Sequence, residues 1–329
     1  MPVEDARFQA DNGLRGFSAY AQFYEGATDV TRLDGPFRGE VGVMRVPRMV
    51  VYDRRISGVR HIRDTRRSRR DGFDHITLHL LVAGDLVGGP LGEERRMTPG
   101  SVMVVDTARA YLTQMVDARV CSVQLARAHV REVLPDIDRA HGLVLPEASA
   151  GLLGDYLLSF MRRASGLSAR AADRAAETAV ELLGVAMSDV TTSTSQDAKD
   201  ELRRARAEAF IADRLADPGL DANVIAVGIG ASRSALYRAF EVEGGVARHV
   251  QKRRLEGMRK ALIRGRDDRS IAGLAHAHGF TSESHCSRAF AAAFGKPPKR
   301  YREDVWRNEP SKAPDDPAAK IIRWASELY

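Results

Sequence analysis

Residues 271–302 read IAGLAHAHGFTSESHCSRAFAAAFGKPPKRYR, and residues 222–245, ANVIAVGIGASRSALYRAFEVEGG, carry a weaker copy of the same pattern. The Ala-x3-Gly of Ala226–Gly230 returns after 49 residues as Ala275–Gly279, and Arg-Ala-Phe-x4-Gly returns after 50, from 238–245 to 288–295. Each conserved step of the repeat has a physical job. A small Ala lets two helices approach closely, and a Gly supplies the left-handed residue that ends a helix and turns the chain sharply. Ser232 in one copy, and Thr281 or Ser282 in the other, can cap the helix that follows. Phe240 and Phe290 then anchor that second helix in a core. Helix, Gly-containing turn and capped helix make a helix-turn-helix, whose second helix is shaped to enter a major groove.

Charge supports the same reading. Residues 200–302 carry 20 Lys and Arg against 12 Asp and Glu, whereas the rest of the chain carries 30 against 32. The basic excess is confined to the repeat region, as expected of a nucleic-acid-binding domain joined to a near-neutral partner. A solvated basic face would look alike on charge alone, and an α-helical solenoid or protein-docking bundle is the competing reading of the repeat. An RNA-binding surface fits less well, because aromatic residues are only 6% and none cluster among the basic ones.

At 329 residues the chain is long enough for two domains. No apolar run reaches the roughly 18 residues a bilayer span needs, and the first 30 residues lack the apolar stretch of a secretory leader. Only two cysteines occur, Cys121 and Cys286, with no ligand partners at metal spacing. A cytoplasmic protein without disulfides, metal or other cofactor is therefore expected.

The overall class predicted is α+β. Short apolar runs at Val41–Val46, Met49–Tyr52, His75–Val82, Ser101–Val105 and Val120–Leu125 read as strands of a barrel or sandwich. Gly84-Asp85, Gly88-Gly89-Pro90 and Pro99-Gly100 read as the turns between them. From Ala126 to about Met187 the texture is helical, with Ala176, Val180, Leu183 and Met187 on one face. That seam suits either a dimer interface or packing onto the chain's own barrel. Boundaries follow: a sensor and dimerisation domain over 1–190, a linker over 191–200, a double helix-turn-helix domain over 201–302, and a tail over 303–329. Within the tail, 308–316 reads as unstructured and Ala318–Leu328 as a short amphipathic helix with Ile321, Ile322, Trp324 and Leu328 as its apolar residues. Val246–Arg264 is expected to be one long helix holding the two units apart, at about 34 Å if they occupy successive grooves.

Gly279 through Phe290, with Phe294-Gly295-Lys296-Pro297-Pro298 and Tyr301-Arg302, resembles the signature of AraC/XylS-type transcription regulators. The first unit matches through Ala226, Gly230, Ser232, Leu236, Arg238, Phe240 and Gly245. The resemblance spans about 200–302. Two positions depart from it: Cys286 replaces a bulky apolar residue, and Val227-Gly228 replaces a polar, helix-favouring pair. The resemblance implies sequence-specific binding of double-stranded DNA at an operator or promoter. It implies Ser234, Tyr237, Glu283, Ser284 and His285 as base readers. Arg233 is a further exposed candidate, and Arg238 and Arg288 read bases or grip phosphate. Lys252 and Arg253, with Arg248, Arg254, Lys299, Arg300 and Arg302, are expected to neutralise the backbone.

Met97–Arg109 (MTPGSVMVVDTAR) resembles the barrel segment of cupin-like sensor domains fused to such DNA-binding units. That resemblance implies a small organic effector in the barrel mouth and a homodimer; no effector residue can be named from sequence, and RNA polymerase is a candidate partner for the basic loop of residues 66–70. The alternative is a metal-dependent cupin enzyme using His61, His75 and His79. His75 and His79 share a strand face about 13 Å apart, too far for one metal without a bend, and Asp106 stands alone, so core histidines are the preferred reading. Arg66, Arg67, Arg69 and Arg70 read as a charged loop over the barrel.

Overall fold

The computed structural model describes residues 4–10, 13–70, 73–134, 136–188, 195–241, 244–263, 269–307, 320, 323, 324 and 328. It divides into two compact units, one of Met1–Thr192 with Lys312–Tyr329 and one of Ser193–Ser311. The chain therefore leaves the first unit, builds the second, and returns to the first.

The first unit opens with β1 (Glu4–Ala10), α1 (Leu14–Tyr24) and β2 (Asp29–Arg32). Strands β3 (Arg38–Val46), β4 (Met49–Ser57) and β5 (Val59–Arg63) follow, then helix α2 (Thr65–Arg70). The arginine-rich stretch is thus a helical turn rather than a loop; Arg67 pairs with Asp29 and donates to the Glu25 carbonyl. Next come β6 (His75–Pro90), β7 (Arg95–Arg96), β8 (Val102–Asp106) and β9 (Tyr111–Ala126). Helix α3 (Arg127–Val133), strand β10 (Val144–Leu145) and the hairpin of α4 (Glu147–Arg163) and α5 (Ala169–Ser188) complete it.

Its strands form one antiparallel sheet in the order β1-β3-β4-β9-β6-β8-β10, with β5 continuing the β4 edge along β9. Four of the five apolar runs in the sequence fall within its strands, and the fifth, Ser101–Val105, begins one residue before β8. Gly84-Asp85 lies inside β6, contrary to its reading as a turn, whereas Gly88-Gly89-Pro90 forms the strand's last residues before the turn at 91–92. Gly84 lies at φ +85° where the β6–β9 register shifts, and a methyl there would sit 2.0 Å from the Asp117 carbonyl oxygen. The glycine admits a bulge inside a long strand, which bends the sheet without breaking it.

Both sheet faces are buried, which explains the near-continuous apolar runs. Val51, Leu78, Val104 and Val123 face α4 and α5, and Ala176, Val180 and Leu183 fill that same core. The apolar seam of α5 is therefore spent on its own unit. Arg48, in the β3–β4 turn, fastens α5 by donating to Asp173 and Glu177. Val50, Tyr52, Leu81 and Met103 face the other way, towards the aromatic side of α1. Trp324 and Leu328 of the C-terminal tail are buried in this second cluster, and Trp324 Nε1 donates to Glu4 on β1 at 3.2 Å. Ile321, Ile322 and 308–316 lie outside the described residues.

The second unit is helical: α6 (Ser195–Arg214), α7 (Ala222–Gly228), α8 (Arg233–Ala239), α9 (Val246–Ile263), α10 (Ile271–Ala277), α11 (Glu283–Phe294) and α12 (Pro298–Arg307). Helix α6 begins inside the stretch read as linker, so 195–200 are helical; residues 191–194 lie outside the described residues. Two small cores share α9. Val246 and Val250 pack with Ile225, Leu236 and Phe240, while Leu255, Met258 and Leu262 pack with Leu274, Phe290 and Tyr301. At 1.5 Å per residue this 18-residue rod spans about 27 Å.

Candidate nucleic-acid interface and sheet cavity

The 49-residue repeat is a repeat of backbone hydrogen bonds. Gly230 and Gly279 both sit at positive φ, +65° and +78°. Behind them Ala231 N donates to Ala226 O at 2.9 Å and Phe280 N to Ala275 O at 3.0 Å, closing the same helix-ending loop. Ser232 then caps α8 by accepting from Ala235 N, and Ser282 caps α11 by accepting from His285 N. Ser282, not Thr281, takes the second cap. The departure at Gly228 has a cause too: a methyl there would lie 2.1 Å from the Phe210 ring, over which the Arg214 guanidinium also lies. Cys286 is buried against the Met258 sulfur, two soft side chains filling the space of one bulky one.

These caps fix which faces look outward. On α8, Ala235 and Leu236 are buried while Arg233, Ser234, Tyr237 and Arg238 are exposed. On α11, Cys286 and Phe290 are buried while Glu283, Ser284, His285 and Arg288 are exposed. All eight candidate readers thus stand on the open faces of the two second helices.

The basic residues of α9 divide. Lys252 is exposed and pairs with Glu256 at 3.8 Å. Arg253 is not free for phosphate as expected: it pairs with Glu208, which also meets buried Arg204 and His249. Arg254 donates to the Leu215 and Asp217 carbonyls, tying α9 to the end of α6. Arg302 likewise donates to the Arg269 carbonyl. These three reinforce the scaffold, whereas Arg248, Lys299 and Arg300 remain exposed.

The first unit holds a cavity on the α1 side of the sheet, open to about 70 Å³. Phe23, Tyr24, Tyr52, Phe73 and Tyr111 wall it, and Arg54, His61, Thr77, His79, Ser122 and Gln124 supply polar atoms. The sheet register builds this set: Tyr52, Ser122, His79 and Met103 stand opposite one another in one row across β4, β9, β6 and β8. Arg54 Nη2 donates to His79 Nδ1 at 3.0 Å and to Ser122 Oγ, while Tyr20 and His61 share a 2.9 Å hydrogen bond. Burial, helped by the Arg54 charge, holds His61 and His79 well below the usual histidine pKa, so both are neutral. None of the wall was assigned from sequence. Its signal was parity: Arg54 alternates with Val50, Tyr52 and Ile56, so a lone arginine points to an interior face.

His61 and His79 line the cavity and His75 is buried outside its wall, and no described group of three His, Cys, Asp or Glu is placed to hold a metal. Asp106 is not alone: with Asp74 and Asp138 it surrounds the buried Arg127 guanidinium. Among the described residues, no helix is long and apolar enough to cross a membrane.

A sensor-like sheet unit joined to paired, capped helix-turn-helices on one rod defines a DNA-binding transcription regulator. Residues 199–304 match the family model described as a helix-turn-helix domain. The transcriptional activator NphR of Rhodococcus sp is 26% identical over 232 residues, covering 68% of this chain and 69% of that protein. The crystal structure of the AraC-like transcriptional activator CuxR superposes with a TM-score of 0.53 at 21% identity, covering 76% of this chain and 94% of that one. The chain is thus a DNA-binding transcription regulator, similar over residues 199–304 to helix-turn-helix domains and in fold to AraC-like regulators.

Proposed function

We propose that the chain activates transcription by seating α8 and α11 in successive major grooves of a promoter, under control of a small molecule held in the sheet cavity. The observation that carries the first part is the exposure of all eight predicted readers on the two capped helices. Arg233, Ser234, Tyr237 and Arg238 read one half of the site, and Glu283, Ser284, His285 and Arg288 the other. Lys252 neutralises phosphate. Activation follows the name of the Rhodococcus relative, and RNA polymerase is then a partner. The cavity and the return of the tail to the first unit support effector control, because unit 2 is bounded at both ends by segments of unit 1. The protein works in the cytoplasm by binding rather than turnover. Homodimerisation uses the exposed side of the α4–α5 hairpin, where Leu152 and Val185 are open to solvent.

The test is a mobility shift on the mapped operator. Arg238→Ala weakens specific binding by about 1–3 kcal/mol and leaves non-specific DNA unaffected, whereas Lys252→Ala weakens both alike and flattens the salt dependence. Unchanged affinity in both variants defeats the docking. A footprint lacking two protected blocks about one helical turn apart does the same.

A further inference from the structure

The cavity wall is unbalanced in charge. Among its described lining residues Arg54 and two histidines stand with no Asp or Glu. Arg54 is only 5% exposed, and the groups beside its guanidinium, His79, Ser122 and the Tyr24 hydroxyl, are neutral. Arg127, equally buried in the same unit, shows the contrast, for three aspartates surround it. A buried guanidinium without a counter-ion is costly unless something supplies the negative charge.

The hydrogen-bond inventory points the same way. Arg54 is a donor only, so His79 Nδ1 must accept from it, and the ring proton of neutral His79 is on Nε2. His79 Nε2, Arg54 Nε and Thr77 Oγ1 are all buried without a partner. Two of these are obligate donors and the third can donate, and all three belong to residues lining one cavity. Buried donors in excess of acceptors call for an acceptor ligand, and with the charge of Arg54 for an oxyanion. The rest of the wall is aromatic, from Phe23, Tyr24, Tyr52, Phe73 and Tyr111. At about 70 Å³ the enclosed space is small, which favours a short ligand whose body lies against the aromatic wall over a long acyl chain.

We infer that the effector is a single-ring organic carboxylate, its carboxylate bound by Arg54 with His79 and Thr77 and its ring stacked among the aromatic residues. This rests on the reading of the cavity as the effector site. The geometry asks for one negative charge and one planar apolar body. The probes are benzoate, 4-hydroxybenzoate and phenylacetate, each beside its uncharged amide, titrated calorimetrically into the full-length protein.

At least one of the three carboxylates binds, and its amide binds at least tenfold more weakly. Arg54→Met removes that preference. Because it also deletes an unmatched buried charge, the variant melts at a higher temperature than the unliganded parent, a readout that needs no ligand. Thr77→Val, which keeps the volume and removes one donor, weakens the carboxylate several-fold and the amide less. The inference is overturned if amides bind as well as acids, or if Arg54→Met melts lower while retaining affinity for the acid. If acids bind with the stated preference but leave promoter affinity unchanged, the ligand class stands and the effector reading fails. If neither acids nor amides bind, both fail.

Discussion

Gly230 and Gly279 hold the same place in the two helix-turn-helix units yet face different surroundings. Both have positive φ, but a methyl on Gly230 would meet nothing within 4 Å, while one on Gly279 would lie 2.7 Å from the Leu215 carbonyl oxygen and 2.8 Å from Arg254 Nε. Gly230→Ala therefore carries only the left-handed backbone cost, about 1–2 kcal/mol. Gly279→Ala carries that cost and also pushes apart the Arg254–Leu215 hydrogen bond that joins α9 to the end of α6. Urea unfolding of the two variants should rank Gly279→Ala as clearly the less stable. Equal losses would mean the close approach at Gly279 relaxes freely.

Arg127 gives a large stability prediction in the first unit. Its guanidinium is 2% exposed and pairs with Asp74, Asp106 and Asp138. Arg127→Ala leaves like charges together and poorly solvated, a loss of about 3–5 kcal/mol. Chemical denaturation followed on the first unit measures it. A loss under about 1 kcal/mol would show that water reaches the aspartates once the arginine is gone.

How much of this was legible follows from which interactions are local. The turn glycines, caps and anchoring phenylalanines of the second unit act within a few residues of one another, so spacing alone exposed them, including the shared α9 rod. Arg253 and Arg254 misled, because Glu208 and the Leu215 carbonyl come from a helix about 40 residues away. Gly84 misled for a related reason. A bulge and a turn ask for the same backbone freedom, and only the partner strand tells them apart. The cavity was hidden because its polar atoms come from strands far apart in sequence, although the inward parity of Arg54 was visible on β4.

Acid should loosen the first unit. Burial lowers the pKa of His61, His79 and His141 in the folded protein. Between those lowered values and about 6.5, the unfolded chain binds more protons than the folded one, so stability rises with pH there. The contribution is complete above about pH 7 and is lost as pH falls, at up to about 1.4 kcal/mol per pH unit for each histidine. Urea midpoints at pH 7, 6 and 5 read the slope, and His79→Asn should reduce it by about one proton. A flat profile in the parent would show that these rings are protonated as easily inside as outside.

Trp324 tests whether the tail belongs to the first unit in energy as well as in position. The indole is fully buried with the aromatic side of α1, its Nε1 donates to Glu4, and Lys320 lies 4.9 Å from the ring centre. Trp324→Phe keeps most of the apolar area and removes one hydrogen bond, a cost of about 1 kcal/mol. Trp324→Ala opens a cavity as well, for about 3–5 kcal/mol. The cluster that holds Trp324 also contains Phe23 and Tyr24, which wall the cavity, so the alanine variant should weaken cavity ligands along with stability. Hydrogen exchange locates the effect: β1 and α1 lose protection in Trp324→Ala, while α9, in the other unit, keeps its own. Unchanged protection in β1 and α1 would mean that the tail rests on the sheet unit without contributing to it.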